Sequence, residues 1–133
     1  MALQRSRGQI QNAITTALVH FHAEWTGHGP NEARCYIVDD MVIVRFKGAL
    51  SRMERRLAEQ AEGRRLVKAM RQILREGCRS ELEAIVARET GAQVISYHSD
   101  VSTRTGERIE IYVLDRNLDR ELRRRDDGPE GSP

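Results

Sequence analysis

The chain of 133 residues is 39% apolar and 32% charged, which suits one soluble globular domain. No run approaches the ~20 apolar residues that a membrane-spanning helix needs, and the N-terminus lacks the basic-then-apolar layout of a secretory signal, so the expected location is cytoplasmic. The net charge of +2 conceals a basic middle, because positions 45 to 79 hold eleven Arg or Lys against Glu54, Glu59, Glu62 and Glu76.

From about residue 3 to 25, Ile10, Ile14, Ala17, Leu18, Phe21 and Trp25 recur at helical spacing and predict a first helix. Gly27, Gly29 and Pro30 end it, since glycine tolerates positive φ and proline cannot continue the ladder. Two apolar runs then meet at Asp39-Asp40. A two-residue turn there sets Val38 against Met41, Ile37 against Val42, Cys35 against Val44 and Ala33 against Phe46. The same register puts Tyr36 opposite Ile43, and Arg34 opposite Arg45 where the two repel unless something acidic covers them. A hairpin apolar on both faces wants two partners. One is the helices of its own fold, and Tyr36, Val38, Met41 and Ile43 form the candidate face for a second subunit in a dimer or a dimer of dimers.

Ser51 with Glu54 reads as a capping box that opens a second helix. Gly63 interrupts that helix, and a long one runs from about Arg64 to a stop at Gly91, with a bend expected near Gly77 where Ser80 and Glu83 repeat the capping pattern. A second hairpin follows, with strands near 93 to 103 and 107 to 115. A three-residue loop, Arg104-Thr105-Gly106, would set Val101 against Ile109, Ser99 against Ile111 and Tyr97 against Val113 as a mostly apolar face. Ser96, His98, Asp100, Ser102, Glu110 and Tyr112 then form a polar face. Leu118 and Leu122 mark a short helix in a charged tail whose last residues, from Asp126 to Pro133, are too polar to order themselves. The expected fold is therefore α+β, in the order α-ββ-α-α-ββ with a short C-terminal helix. Residues 1–118 form its single domain and 119–133 the tail. Whether the two hairpins join one sheet stays open at this level.

Ser96, His98 and Asp100 suggest a hydrolytic triad, but alternate residues on one strand lie ~6.5–7 Å apart, too far for the hydrogen bonds of that mechanism. His98 opposite Tyr112, with Asp100 and Glu110 nearby, fits a polar binding surface better. His20 and His22 are spaced i, i+2 and point to opposite sides of a helix, so neither they nor His28 suggest a metal site, and all four histidines read as surface groups. Cys35 and Cys78 read as small buried hydrophobes. No catalytic residue, cofactor or metal is expected, and the chain does not read as an enzyme. Arg64, Lys68, Arg71, Arg75 and Arg79 line one helix face, with Leu66, Met70, Ile73 and Leu74 on the far side. Such a basic face could track the phosphates of a nucleic acid, although the aromatic platforms of RNA modules are missing.

Three blocks carry a resemblance. They are Gly27-His28-Gly29-Pro30 followed by Arg34-Cys35-Tyr36-Ile37-Val38-Asp39-Asp40-Met41-Val42-Ile43-Val44, then Glu62-Gly63-Arg64-Arg65-Leu66-Val67, and Ser99-Asp100-Val101-Ser102-Thr103-Arg104-Thr105-Gly106-Glu107. Together they resemble the small bacterial MpsC family from about residue 5 to 118. That family is named for a sodium-translocating, membrane potential-generating system whose companion proteins are associated with bicarbonate uptake. The resemblance implies an accessory cytoplasmic protein, peripheral to the membrane through transport subunits, and no catalytic residues to carry over. His28 stands where the resemblance leads one to expect arginine or lysine. The turn Gly27, His28, Gly29, Pro30 and the strand residues His98, Asp100 and Tyr112 are the candidate binding surface.

Overall fold

Residues 4–126 are described by a computed structural model. The first helix, α1 (Arg7–Thr26), opens on a capping box of Ser6 and Gln9 and closes on Gly27 in the left-handed region at φ 78°. Two strands, β1 (Glu32–Val38) and β2 (Met41–Lys47), follow as a hairpin in the expected register, from Ala33 opposite Phe46 to Val38 opposite Met41. Asp39 takes the positive φ of the turn at 55°, a conformation aspartate tolerates better than most residues. The helix α2 (Arg52–Leu57) starts at the expected Ser51–Glu54 box.

The long helix α3 (Ala61–Thr90) differs from expectation at two points. It begins ahead of Gly63, which lies inside its first turn, and glycine is needed there because a Cβ would collide with the Leu57 carbonyl. It also runs unbroken through Gly77 for 30 residues, about 45 Å at 1.5 Å per residue. Ser80 Oγ donates to Glu81 Oε1 and caps nothing. One glycine in a helix costs only about 1 kcal/mol, and Cys78, Leu82, Ile85 and Val86 are packed in the core on its C-terminal side.

The strands β3 (Val94–Val101) and β4 (Arg108–Leu114) join the first hairpin in one antiparallel sheet of order β1-β2-β4-β3. The fold is thus α+β. The register of this second hairpin corrects the sequence expectation by one residue, since Val101 lies opposite Arg108, Ser99 opposite Glu110, His98 opposite Ile111 and Tyr97 opposite Tyr112. The loop is the reason. Ser102 N–H donates to the Glu107 carbonyl and Gly106 N–H to the Ser102 carbonyl, while Ser102 Oγ accepts from the amides of Arg104 and Thr105, so four residues span the turn instead of three. Because side chains alternate along a strand, that single step turns Arg108, Glu110 and Tyr112 inward and Ile109, Ile111 and Val113 outward.

One face of the sheet packs on the helices. Ile10, Ile14 and Leu18 of α1 and Leu82 and Val86 of α3 close over Ile37, Val42, Val44 and Tyr112. The final helix, α4 (Leu118–Asp126), lies partly in the segment assigned to the tail, yet Leu118 and Leu122 are buried in the same core. Asp119 also clamps the first hairpin, accepting from the Asp39 amide at 2.9 Å and from Arg7 Nη2 at 2.7 Å. Of the segment from Asp126 to Pro133 that was expected to be disordered, Asp126 ends α4 instead, and the rest lies outside the described residues.

Candidate functional site

The inner face of the sheet carries an ionic layer in the middle of the core. The i, i+4 ladder of Ile10, Ile14 and Leu18 continues to His22, which is 5% exposed and correctly belongs to the interior, not the surface. Its Nε2 lies 2.7 Å from Glu110 Oε2. Tyr112 donates to Glu110 Oε1 at 2.6 Å, and Arg108 Nη2 reaches Glu110 Oε2 at 3.0 Å. Burial alone would raise the Glu110 carboxyl, but the hydrogen bonds and charges of His22 and Arg108 outweigh it and hold the group below its ordinary value. Glu110 is therefore a buried carboxylate and His22 the donor to it. Burial, then the Glu110 charge, drives Tyr112 well above its usual range and Tyr97 up to about 12.

A second buried pair adjoins the first. Arg71 of α3 holds both Glu54 oxygens, at 2.7 Å from Nε and 2.6 Å from Nη2, and also donates to the Ala49 carbonyl at 2.7 Å. Arg71 and Arg108 line a common wall. On one side is a cleft of about 10 Å³ reached by His22, His28 and Pro30. On the other is a pocket of about 70 Å³ between α3 and the edge of β3.

These contacts redistribute the candidate residues. The turn residues His28 and Pro30 line one cleft with Arg71 of the basic face, and His28 Nε2 donates to the Gly48 carbonyl at 3.0 Å, tying the end of α1 to the loop after β2. Gly29 packs on α1, where a Cβ would come within 3.2 Å of the Ala23 side chain. The expected pairing of His98 with Tyr112 does not form, because the register step sends Tyr112 into the core and leaves His98 exposed beside Ile111. Asp100 turns to Lys68, at 2.5 Å, and that contact lowers its carboxyl.

The basic face is largely engaged within the protein. Lys68 Nζ donates to the Val101 carbonyl at 2.9 Å and Arg75 to the Ser99 carbonyl, so two cations cover the outer edge of β3. Arg79 pairs with Glu83 and Arg64 with the Ala58 carbonyl. At the opposite edge Arg7 covers the Ile37 carbonyl of β1. At each free edge of the sheet, cations of the chain thus occupy outward carbonyls that an added strand would need.

The outer face is different. Tyr36 and Val38 of β1, 40% and 41% exposed, adjoin Met41 and Ile43 of β2, and the register of β2 with β4 extends this candidate oligomer face to Ile109, Ile111 and Val113. Arg34 and Arg45 lie at its end, and the charges that would repel are met by Glu32, at 3.6 Å from Arg34, and by Glu107 on Arg45. A second exposed apolar strip runs along α3. Leu66, Met70 and Ile73 occupy the flank opposite Lys68 and Arg75, with Val67, Arg71 and Cys78 buried between the two flanks, and Trp25 lies beside Gly77 at the strip's end.

Sequence reasoning did not single out Arg108, took His22 for a surface group, put Glu110 beside an exposed polar surface and set Ile109 and Ile111 on the face of Tyr97 and Val101, which the structure turns inward. The ladder from Ile10 to Leu18 already pointed to His22. The strict alternation of Arg108-Ile109-Glu110-Ile111-Tyr112-Val113 separated the two sets correctly but did not say which one faces the helices.

Fold and surfaces define a two-layer α+β protein in which no helix among the described residues is long and apolar enough to cross a membrane. Residues 6–116 match the family described as "Na+-translocating membrane potential-generating system (MpsC)", and the chain belongs to the MpsC family. Its relatives include two proteins of Bacillus subtilis (strain 168). The uncharacterized protein YbcI is 32% identical over 120 residues, 90% of this chain and 97% of its own. The uncharacterized protein YrhF is 29% identical over 97 residues, 72% of this chain and 80% of its own. No solved structure matches.

Proposed function

We propose that the protein is a non-catalytic cytoplasmic accessory protein of a membrane cation-translocating or bicarbonate-uptake system, and that it acts as a dimer, or a dimer of dimers, built on its open sheet face. The observation that carries this reading is the outer face itself. Seven apolar side chains, from Tyr36 and Val38 across Met41 and Ile43 to Ile109, Ile111 and Val113, share one surface at whose end Arg34 and Arg45 are already paired within the chain. A second copy meets that surface with matching apolar rows and without repulsion, as sheets pack face to face. Strand addition at an edge is disfavoured by Arg7, Lys68 and Arg75.

A dimer closed through the sheet leaves the strip of Leu66, Met70, Ile73 and Trp25 uncovered on the helical layer, and this strip is the surface a transport subunit would meet. The family description supplies the kind of system and the chain supplies no span of its own among the described residues. Nucleic-acid binding through Arg64 to Arg79 has less support, since Lys68, Arg71, Arg75 and Arg79 make their contacts inside the protein.

The test is capture from native lysate, with and without nuclease, using the wild-type chain and Ile73→Glu. Recovery of a cation or bicarbonate transport subunit that survives nuclease and is lost with Ile73→Glu supports the reading. Nuclease-sensitive, salt-labile recovery of RNA or DNA contradicts it.

A further inference from the structure

The short helix α2 buries its acid and exposes its apolar side chains. Its buried residue is Glu54, whose carboxylate oxygens are held by Arg71 Nε and Nη2 at 2.7 Å and 2.6 Å. Met53 and Leu57, four residues apart on one side of the helix, are 74% and 43% exposed. A surface helix that packs only on its own fold turns its apolar residues inward, so this orientation calls for a partner outside the chain. Arg52 and Arg56 stand beside the two apolar residues and point away from Glu54, and Arg55 takes the other flank. Gly63 of α3 lies against the Leu57 backbone, where a Cβ would come within 1.7 Å of the carbonyl oxygen, which brings Leu66 and Arg65, about one turn on, to the same corner. The charges of this corner are not balanced. Among the described residues Arg52, Arg55 and Arg65 form no salt bridge, and Arg56 has only a contact of 3.9 Å to Glu59. Glu59 and Glu62 are the exposed acids of the segment, against these arginines and Arg64.

We propose that this corner, Met53, Leu57 and Leu66 with Arg52, Arg55 and Arg65, docks on the headgroup layer of a bilayer that contains anionic lipid. The apolar side chains enter the boundary between headgroups and acyl chains, and the arginines reach the lipid phosphates from the rim, as long cationic side chains do at membrane interfaces. Arginine's planar fork suits a phosphate through paired N–H groups. A nucleic acid offers similar phosphates, but it leaves Met53 and Leu57 facing a polar backbone, and none of these six residues has an aromatic ring on which a base could stack. The inference goes beyond docking on a transport subunit. The subunit meets the strip toward Ile73 and Trp25, the lipid meets the corner at its other end, and the two surfaces adjoin at Leu66.

The experiment is co-sedimentation of the full chain with vesicles of phosphatidylcholine alone and of phosphatidylcholine with phosphatidylglycerol, at low and high salt. Binding to the anionic vesicles is expected, with binding to the neutral ones weaker by about tenfold or more and a steep loss as salt screens the arginines. Replacing Arg52→Gln and Arg55→Gln together should weaken binding about twentyfold, at about fivefold for each cation near the surface. Met53→Asp should weaken it about tenfold or more, whereas Arg120→Gln, exposed on α4 and outside the corner, should leave it unchanged. Because the substituted side chains are exposed, each variant is expected to keep the wild-type circular dichroism spectrum. Equal binding to both vesicle types, binding to neither, or a Met53→Asp protein that binds like the wild type overturns the proposal. So does a chain that prefers an RNA oligomer to the anionic vesicles through the same arginines. The vesicles contain no protein, so a failure here is distinct from a failure of the contact at Ile73.

Discussion

The two faces of the sheet are made by the same strands and contain opposite chemistry. On β4 the inward residues are Arg108, Glu110 and Tyr112, and the outward ones Ile109, Ile111 and Val113. A carboxylate thus sits at 0% exposure in the core while Ile109 is exposed on the surface. The inner face is covered by the helices, its charges are paired and its tyrosine hydroxyls bonded, and the Arg108 Nε–H is left without an acceptor. The outer face is apolar from β1 across β2 to β4, where Tyr36, Val38 and Ile109 are exposed. Burial in this fold is therefore decided by which side the helices occupy and by the partners that each polar group finds, and not by side-chain type alone.

That contrast can be broken most strongly from the inside. Glu110→Gln leaves Arg108 buried without its counter-charge, and the expected loss is about 3–5 kcal/mol, read by denaturant unfolding. Leu18→Ala, in the apolar part of the same layer, should cost about 2–5 kcal/mol through the cavity it leaves, and its loss should not depend on pH.

The pH dependence sharpens the comparison. Glu110 and Glu54 are held below the ordinary carboxylate value, in both cases because hydrogen bonds and opposite charges outweigh burial. Their contribution to stability is complete above about pH 4.3 and is lost as the pH falls below it, because the unfolded chain then binds more protons than the folded one. Tyr97, raised from 10.0 to about 12, contributes in the other direction, with stability complete below pH 10 and lost as the pH rises toward 12. Unfolding midpoints measured across pH should fall at both ends, and the acid limb should shrink in Glu110→Gln.

Smaller effects are expected outside. Lys68→Gln removes an edge cation and its pair with Asp100, both partly exposed, for about 0–1 kcal/mol by thermal unfolding. Ile111→Ser on the outer face should change the stability of the isolated chain by about 0.5 kcal/mol or less, measured at concentrations too low for association.

The first hairpin was legible residue by residue because its turn is the shortest possible and every pair follows from Asp39-Asp40. The second was not, since the hydrogen bonds that Ser102 offers to Arg104 and Thr105 lengthen the loop by one residue, and nothing in the composition of the loop announces that choice. The step carried a further error with it, moving Tyr112 from the proposed binding surface to the core. The oligomer face of Tyr36, Val38, Met41 and Ile43 was half visible, and its other half on β4 required knowing that β2 pairs with β4. On α3, alternate flanks of cations and apolar residues were readable, but tertiary contacts to Glu54 and Ala49 turned Arg71 inward. Such long-range pairs leave no local pattern.

Light scattering on the size-separated protein at micromolar concentration, with Ile43→Asp measured beside the wild type, tests whether a second copy of the chain covers the outer sheet face. The expected result is a wild-type dimer, or a tetramer made of such dimers, and a smaller species for Ile43→Asp with an unchanged circular dichroism spectrum. A wild-type protein that is strictly monomeric at that concentration, or an Ile43→Asp protein that keeps the wild-type mass, would contradict it.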